Sequence, residues 1–156
     1  MKVVALISGG KDSCHSLAEC ARAGHEVVAL ANLCPLDAQP HDLDSYCFQT
    51  VGHGLVDAYA ACTGLPLFRL QFAGQSACRE LQYARTEGDE VEDLFRLLAF
   101  VQARVPGLGG VASGAIASDY QRTRVEDVCG RLGLVSLAYL WHRPQAALLQ
   151  ARRAGA

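Results

Sequence analysis

Five short apolar runs, each followed by a longer amphipathic stretch, leave this chain few folds to choose from. The runs cover residues 3–7, 26–33, 65–71, 110–116 and 135–140. They are largely apolar, as strands covered on both faces must be. Helical spacing fills the intervals: 13–23 lies ahead of Gly24, 46–62 ahead of Gly64 and 89–104 ahead of Pro106, the punctuation expected of helix ends. The pattern is sharpest over 118–132, where Val125, Val128, Cys129 and Leu132 recur at helical spacing with Arg122, Arg124, Glu126 and Arg131 between them. Ser118 or Asp119 would cap that helix and Gly133 would end it. Strands alternating with helices pair in parallel through right-handed crossovers, so the expectation is an α/β fold, doubly wound around a mostly parallel five-stranded sheet of order 3-2-1-4-5. That order makes the first and fourth strands neighbours at the switch point. Ligands of such sheets bind beyond the carboxyl ends of those two strands, which directs attention to Ser8 onward and Ser113 onward.

Composition narrows the function classes. With 156 residues, 51% hydrophobic, 19% charged and a net charge of -2, residues 1–156 are expected to form one globular domain with a sizeable core. No run of eighteen apolar residues exists to span a bilayer. The sequence pI of about 6.2, with no cluster of basic residues, offers nucleic acid no electrostatic footprint. The seven cysteines are odd in number and never spaced Cys-x-x-Cys, which suits a reducing compartment, so the cytosol is the expected location and each thiol reads as a small buried hydrophobe. The apolar run ending at Ile7 is shorter than a signal peptide's.

The most informative segment is Ser8-Gly9-Gly10-Lys11-Asp12-Ser13, between the first strand and the first helix. Paired glycines permit positive φ and close approach of a ligand to the backbone, and the helix start presents unpaired amides at the positive end of its dipole. A polyanion fits there, with Lys11 adding a cation and the hydroxyls of Ser8 and Ser13 donating to phosphate oxygens. Asp12 would repel that anion unless a magnesium ion intervenes, so Asp12 is the candidate metal ligand. The spacing matches neither G-x-x-x-x-G-K-[ST] nor G-x-G-x-x-G. A glycine turn before a helix is the plain alternative.

The segment instead resembles the Ser-Gly-Gly-x-Asp-Ser loop of the PP-loop ATP pyrophosphatases, a Rossmann-like superfamily whose loop grips the β- and γ-phosphates. Further blocks carry the likeness along nearly the whole chain: 3–14, 28–33 (VALANL), 43–51 (LDSYCFQTV), 87–94 (EGDEVEDL), 114–120 (GAIASDY) and 121–141 with QRTRVEDVC and LAYLW. Together they resemble the diphthine-ammonia ligase family. The resemblance implies ATP and Mg²⁺ as cofactors and an enzyme that amidates diphthine to diphthamide, a modified histidine of translation elongation factor 2. It implies an acyl-adenylate route: a carboxylate is a poor electrophile, so ATP first converts it to an adenylate, and ammonia then displaces AMP. Lys2 stands where some relatives carry the cysteine of a glutaminase, so free ammonia is the expected donor. A protein partner is expected, with no direct nucleic-acid or membrane partner.

Outside the loop, the crevice expectation brings Gly114, Asp119, Tyr120, Arg122 and Arg124 opposite the phosphates. Gly114 would allow backbone approach, Arg122 or Arg124 would bind the α-phosphate or substrate carboxylate, and Asp119 would hold a metal or an amine. The bland alternative for the two arginines is a solvated helix face with Glu126 as partner. Asp44, Ser45, Tyr46 and Gln49 read either as an N-cap with a first-turn tyrosine or as substrate contacts. Glu87, Asp89, Glu90, Glu92 and Asp93 form an acidic run suited either to diphthine's trimethylammonium group or to a solvated helix start. Tyr139 and Trp141 read as core or rim.

One departure from the family pattern stands out. The Gly-Glu-Gly-Gly-Glu-Tyr-Glu-Thr segment of the family's second part is missing here, so the chain is expected to be truncated at its C-terminal end. Two function classes follow: a catalytic amide ligase, or an ATP-binding fragment or isoform without turnover.

Overall fold

The computed structural model describes residues 1–34, 53–71 and 73–154. Its elements are β1 (Lys2–Leu6), α1 (Lys11–Arg22), β2 (Glu26–Cys34), a 3-10 turn (His53–Leu55), α2 (Val56–Thr63), β3 (Leu67–Gln71), α3 (Glu90–Arg104), β4 (Leu108–Ala112), α4 (Asp119–Leu132), β5 (Val135–Leu137) and α5 (Gln145–Ala154). The five strands form one parallel sheet in the order β3-β2-β1-β4-β5. β1 and β4 are neighbours, and the crevice at their carboxyl ends is the switch point.

Both faces of the sheet are covered, which is why its strands are apolar on successive residues. On one face Val4, Ala29, Ala31 and Val111 pack under α3 and α4, against Leu94, Leu98, Val101 and Val128. On the other, Val3, Ala5, Leu30 and Ala112 meet Cys20 of α1 and Val56 of α2, with Tyr139 closing the edge. α3 shows how sequence sets this packing. Val91, Leu94, Leu98 and Val101 recur at the helical period and are all buried. Asp89 caps the helix by accepting from the Val91 amide at 2.9 Å. Each fully buried leucine contributes about 1.5–3 kcal/mol of transfer free energy.

Boundaries shift where the chain finds other hydrogen-bond partners. The fourth strand, expected over 110–116, leaves the sheet after Ala112, because the Ser113 carbonyl accepts from Ser16 Oγ at 2.7 Å and the following residues turn into the crevice. The fifth, expected over 135–140, stops at Leu137 and enters a turn closed by Trp141 N–H to the Ala138 carbonyl. The third begins at Leu67 rather than 65. The first helix starts two residues early, at Lys11, so Lys11 and Asp12 belong to its first turn. Of the helix expected over 46–62, the described part is the 3-10 turn and α2, ending at Gly64 with φ 67°. Among the described residues no helix is long and apolar enough to cross a membrane.

Candidate functional site

At the end of β1 the chain turns sharply into α1. Gly9 holds φ at 83°, a left-handed value that favours glycine. Gly10 caps α1 with extended backbone and no side-chain cap bond, so the helix opens with its amides facing outward from the sheet edge. The serines shape the turn from within. The Ser8 amide donates to Ser13 Oγ at 3.2 Å, Ser13 Oγ donates to the Gly10 carbonyl at 2.9 Å, and the Gly10 amide reaches Ser8 Oγ at 3.4 Å. The Ser13 hydroxyl thus braces the turn, donating to the loop's own backbone in this structure.

The segment after β4 closes the other side. A Cβ on Gly114 would lie 3.0 Å from the Ser13 nitrogen and 3.1 Å from its Cα. Gly114 thus permits backbone approach, and the backbone that approaches is the opening turn of α1. Between the two segments lies a cavity of about 310 Å³. Leu6, Leu33, Leu94 and Val125 are part of its apolar wall, while Ser8, Asp12, Ser13, Asn32, Ser113, Ser118 and Gln121 are its polar residues. Asp12 is the single charged residue among the described residues lining it. Its carboxylate lies 3.3 Å from Lys11 Nζ, and Lys11 extends outward with 74% of its side chain exposed. One carboxylate at a helix start fits Mg²⁺, which is held by one or two carboxylates, with phosphates and water completing the shell. No group of three or more His, Cys, Asp or Glu gathers among the described residues, so no cage of protein ligands competes with that arrangement.

The arginines of α4 part company. Arg124 is fully buried and turned away from the cavity: its guanidinium donates to the carbonyls of Cys78 (2.7 Å), Glu80 (3.0 Å) and Tyr120 (3.2 Å), and it sits 3.2 Å over the Tyr120 ring. A planar fork suits that triple contact, and it leaves no phosphate role for Arg124 in this arrangement. Tyr120 joins the same clamp by donating to the Cys78 carbonyl at 2.9 Å. Arg122 is half-buried, pairs with Asp119 at 3.7 Å and Glu126 at 3.5 Å, and lies 4.5 Å over the Trp141 ring. Ser118 caps α4, accepting from the Gln121 amide, so Ser118 and Gln121 bring the helix start to the cavity while Asp119 faces outward.

The acidic run is structural. Asp89 is 2% exposed and accepts from the amides of Val91 and Cys78, both within 2.9 Å. Asp93 accepts from Ala73 at 2.9 Å and Gly74 at 2.8 Å and pairs with Arg96. Glu90 accepts from Ser76 Oγ at 2.8 Å. Glu92 takes both Arg131 nitrogens at 2.8 Å and the Tyr83 hydroxyl at 2.9 Å. The Arg131 hydrogen bonds hold the Glu92 carboxyl below the usual carboxylate range, against burial that raises it. Burial lifts the Tyr83 hydroxyl well above its ordinary value, keeping it a donor. Only Glu87 is exposed. The run ties down the segment 73–88, and its buried members Asp89, Glu90 and Asp93 present no surface to a cationic substrate.

Asp44, Ser45, Tyr46 and Gln49 lie outside the described residues. Sequence reasoning missed Asn32, whose Nδ2 donates to the Ile7 carbonyl at 2.8 Å and whose Oδ1 accepts from Arg69 at 3.2 Å, fixing the backbone that leads into the loop. A lone amide in the apolar string VALANLC was the signal for it. Ser113 was likewise named only as the start of a segment.

A parallel doubly wound sheet, with a glycine loop opening its first helix onto a switch-point cavity, defines an α/β domain of the kind that takes an anionic ligand at that helix start. The family model described as the diphthamide synthase N-terminal domain matches residues 1–136, and the chain belongs to that family. It is 57% identical over 150 residues to a diphthine–ammonia ligase of Danio rerio, covering 96% of this chain and 58% of that protein. The Homo sapiens diphthine–ammonia ligase is 53% identical over 152 residues, with 96% and 57% covered. The Saccharomyces cerevisiae one is 51% identical over 150 residues, with 96% of this chain but 22% of its own length covered.

Proposed function

We propose that this chain carries the ATP-using half of a carbon–nitrogen ligase that amidates diphthine on translation elongation factor 2, with ammonia as nitrogen donor. The observation that carries the reading is the Ser8–Ser13 turn: left-handed at Gly9, without a side-chain cap at α1 and holding the single charged residue that lines the cavity among the described residues, Asp12, in a chain whose relatives are named diphthine–ammonia ligases.

In this reading the amides at the α1 opening hold the phosphate tail, and Lys11 adds charge from the rim. Asp12 would hold Mg²⁺, which when bound neutralises charge on the departing pyrophosphate. The apolar wall covers the nucleoside and excludes water from the acyl adenylate. The substrate carboxylate attacks the α-phosphorus, pyrophosphate leaves, and ammonia then displaces AMP from the acyl carbon to give the amide. The chain needs no nucleophile of its own for either step. A cytosolic site of action suits the cysteine pattern.

The test is purified chain with ATP, Mg²⁺, ammonia and elongation factor 2 carrying diphthine. AMP formed in step with amide on the factor is the expected result. ATP binding without substrate-dependent AMP would confine the chain to nucleotide binding, and absence of ATP binding would remove the reading altogether.

A further inference from the structure

One planar side chain ties the phosphate loop to the β3 edge of the sheet. Asn32 of β2 is buried and stands in register with Arg69 of β3. Its Oδ1 accepts from Arg69 Nε at 3.2 Å, while its Nδ2 donates to the Ile7 carbonyl at 2.8 Å. A guanidinium can only donate and a carbonyl can only accept, so the asparagine amide fits between them in one orientation alone. The Ile7 carbonyl and the Ser8 amide belong to one rigid peptide plane. Because the Ser8 amide donates to Ser13 Oγ at 3.2 Å, that plane is held on both edges. From it the chain enters the left-handed turn at Gly9.

We infer that Arg69 is a positioning residue for the phosphate loop: acting through Asn32, it sets the Ile7–Ser8 peptide plane from which the loop departs. Its consequence for binding rests on the nucleotide reading above, to which it adds a residue that does not line the cavity. Without the guanidinium, Oδ1 loses the donor that fixes it, and a flipped amide sets oxygen against the Ile7 carbonyl oxygen. The loop is then free to leave the geometry that aims the α1 amides, and misplacement of that kind weakens binding without removing any contact. Arg69 has a second contact that supplies the competing role. Its Nη1 pairs with Asp57 Oδ2 at 3.1 Å, at a site where 29% of the arginine side chain and 69% of the aspartate side chain are exposed. A staple between β3 and α2 would account for that pair and leave the loop unaffected. The two contacts use different nitrogens, so substitution can separate them.

The experiment compares Arg69→Met, Asp57→Asn, Asn32→Ala and the Arg69→Met/Asn32→Ala double variant, read by calorimetry with Mg-ATP and by the Ser8 and Gly9 amide resonances in nitrogen-15 spectra without nucleotide. Arg69→Met is expected to shift those resonances and to weaken Mg-ATP about fivefold. Asp57→Asn, which removes only the staple, should do neither. On the Asn32→Ala background Arg69→Met should cost no further affinity, because its route to the loop is already cut. A long-range effect of the arginine's charge would persist there. The inference is overturned if Asp57→Asn reproduces the loss, if the loss persists on the Asn32→Ala background, or if Arg69→Met leaves the two resonances in place. Should Asn32→Ala not fold, the contrast between Arg69→Met and Asp57→Asn decides alone. If the parent binds no ATP, the nucleotide reading falls, and the Ser8 and Gly9 resonances still decide whether Arg69 sets the loop.

Discussion

Asp12 and Asp93 are both carboxylates in the first turn of a helix at the carboxyl end of the same sheet, and the chain treats them in opposite ways. Asp93 is sealed, with its side chain 1% exposed, and holds two backbone amides of the segment 73–88. Asp12 keeps 34% of its side chain exposed on the cavity wall, in a turn whose cap has no side-chain bond. The same contrast runs through the surroundings. Around 73–88, Asp89, Glu90, Glu92, Tyr120 and Arg124 all find partners within the chain. Around the cavity the polar residues line an open wall, with Asp12 the single charge among the described residues. Polar groups sealed against their own protein make scaffold, and polar groups left within reach of a cavity make a site.

The largest effect should come from the scaffold side. Arg124→Met strips three carbonyls of a buried donor and is expected to cost about 3 kcal/mol or more in urea unfolding. Trypsin should then cut after Arg79 and Arg85, because the segment they sit on loses its anchor. Arg124→Lys should rescue little, since a point cation cannot span the carbonyls of Cys78, Glu80 and Tyr120 together. A loss under about 1 kcal/mol for Arg124→Met would mean that the clamp is not what holds the segment.

Next comes the seam between the two regions. In Gly114→Ala the added methyl meets backbone atoms of Ser13 at 3.0 and 3.1 Å and of Asp12 at 3.2 Å. Backbone cannot rotate aside as a side chain can, so the α1 opening must shift, at about 1–3 kcal/mol. ATP affinity should fall at the same time, by about tenfold, as the amides move off their target. A variant with unchanged melting and unchanged binding would show that the seam yields freely.

These contrasts explain what the sequence made legible. Strand order and the position of the crevice could be read from hydrophobic period and chain order, because burial on two faces dictates both. The loop could be read because Gly9 answers a backbone demand, a left-handed φ, local to the turn. The acidic run and the Arg122, Arg124 pair could not be sorted, because their partners are remote: Cys78 lies 46 residues from Arg124, and Arg131 lies 39 from Glu92. Local spacing records that a residue is charged and helical, but only the tertiary fold decides whether an amide, a carbonyl or a ligand meets it.

On the site side, Asp12→Ala should cost less in urea stability than Arg124→Met does, since the Asp12 side chain is a third exposed. Its effect belongs to binding: Mg-ATP affinity is expected to drop about tenfold. Chelating the metal should abolish the parent's advantage and leave the variant the tighter binder, because the carboxylate then has no cation to hold and only repels phosphate. Equal affinity of the two proteins in the presence of magnesium would remove Asp12 from the site.

The smallest effect tests whether the scaffold's charges act as paired groups at all. Because Arg131 depresses the folded-state pKa of Glu92, the unfolded chain takes up this proton at higher pH than the native one does. The stabilisation is therefore complete above the unfolded value of about 4.3 and is lost as pH falls through the lower native value. Glu92→Gln keeps the shape and the Tyr83 acceptor but removes the charge, so it should cost about 1 kcal/mol near neutral pH, discounted for partial exposure. As pH falls below the unfolded value the parent should lose stability more steeply than the variant, and the two urea midpoints should converge. Parallel curves over that range would mean that Arg131 and Glu92 touch without contributing, and that Tyr83 and the buried Arg124 hold the segment without them.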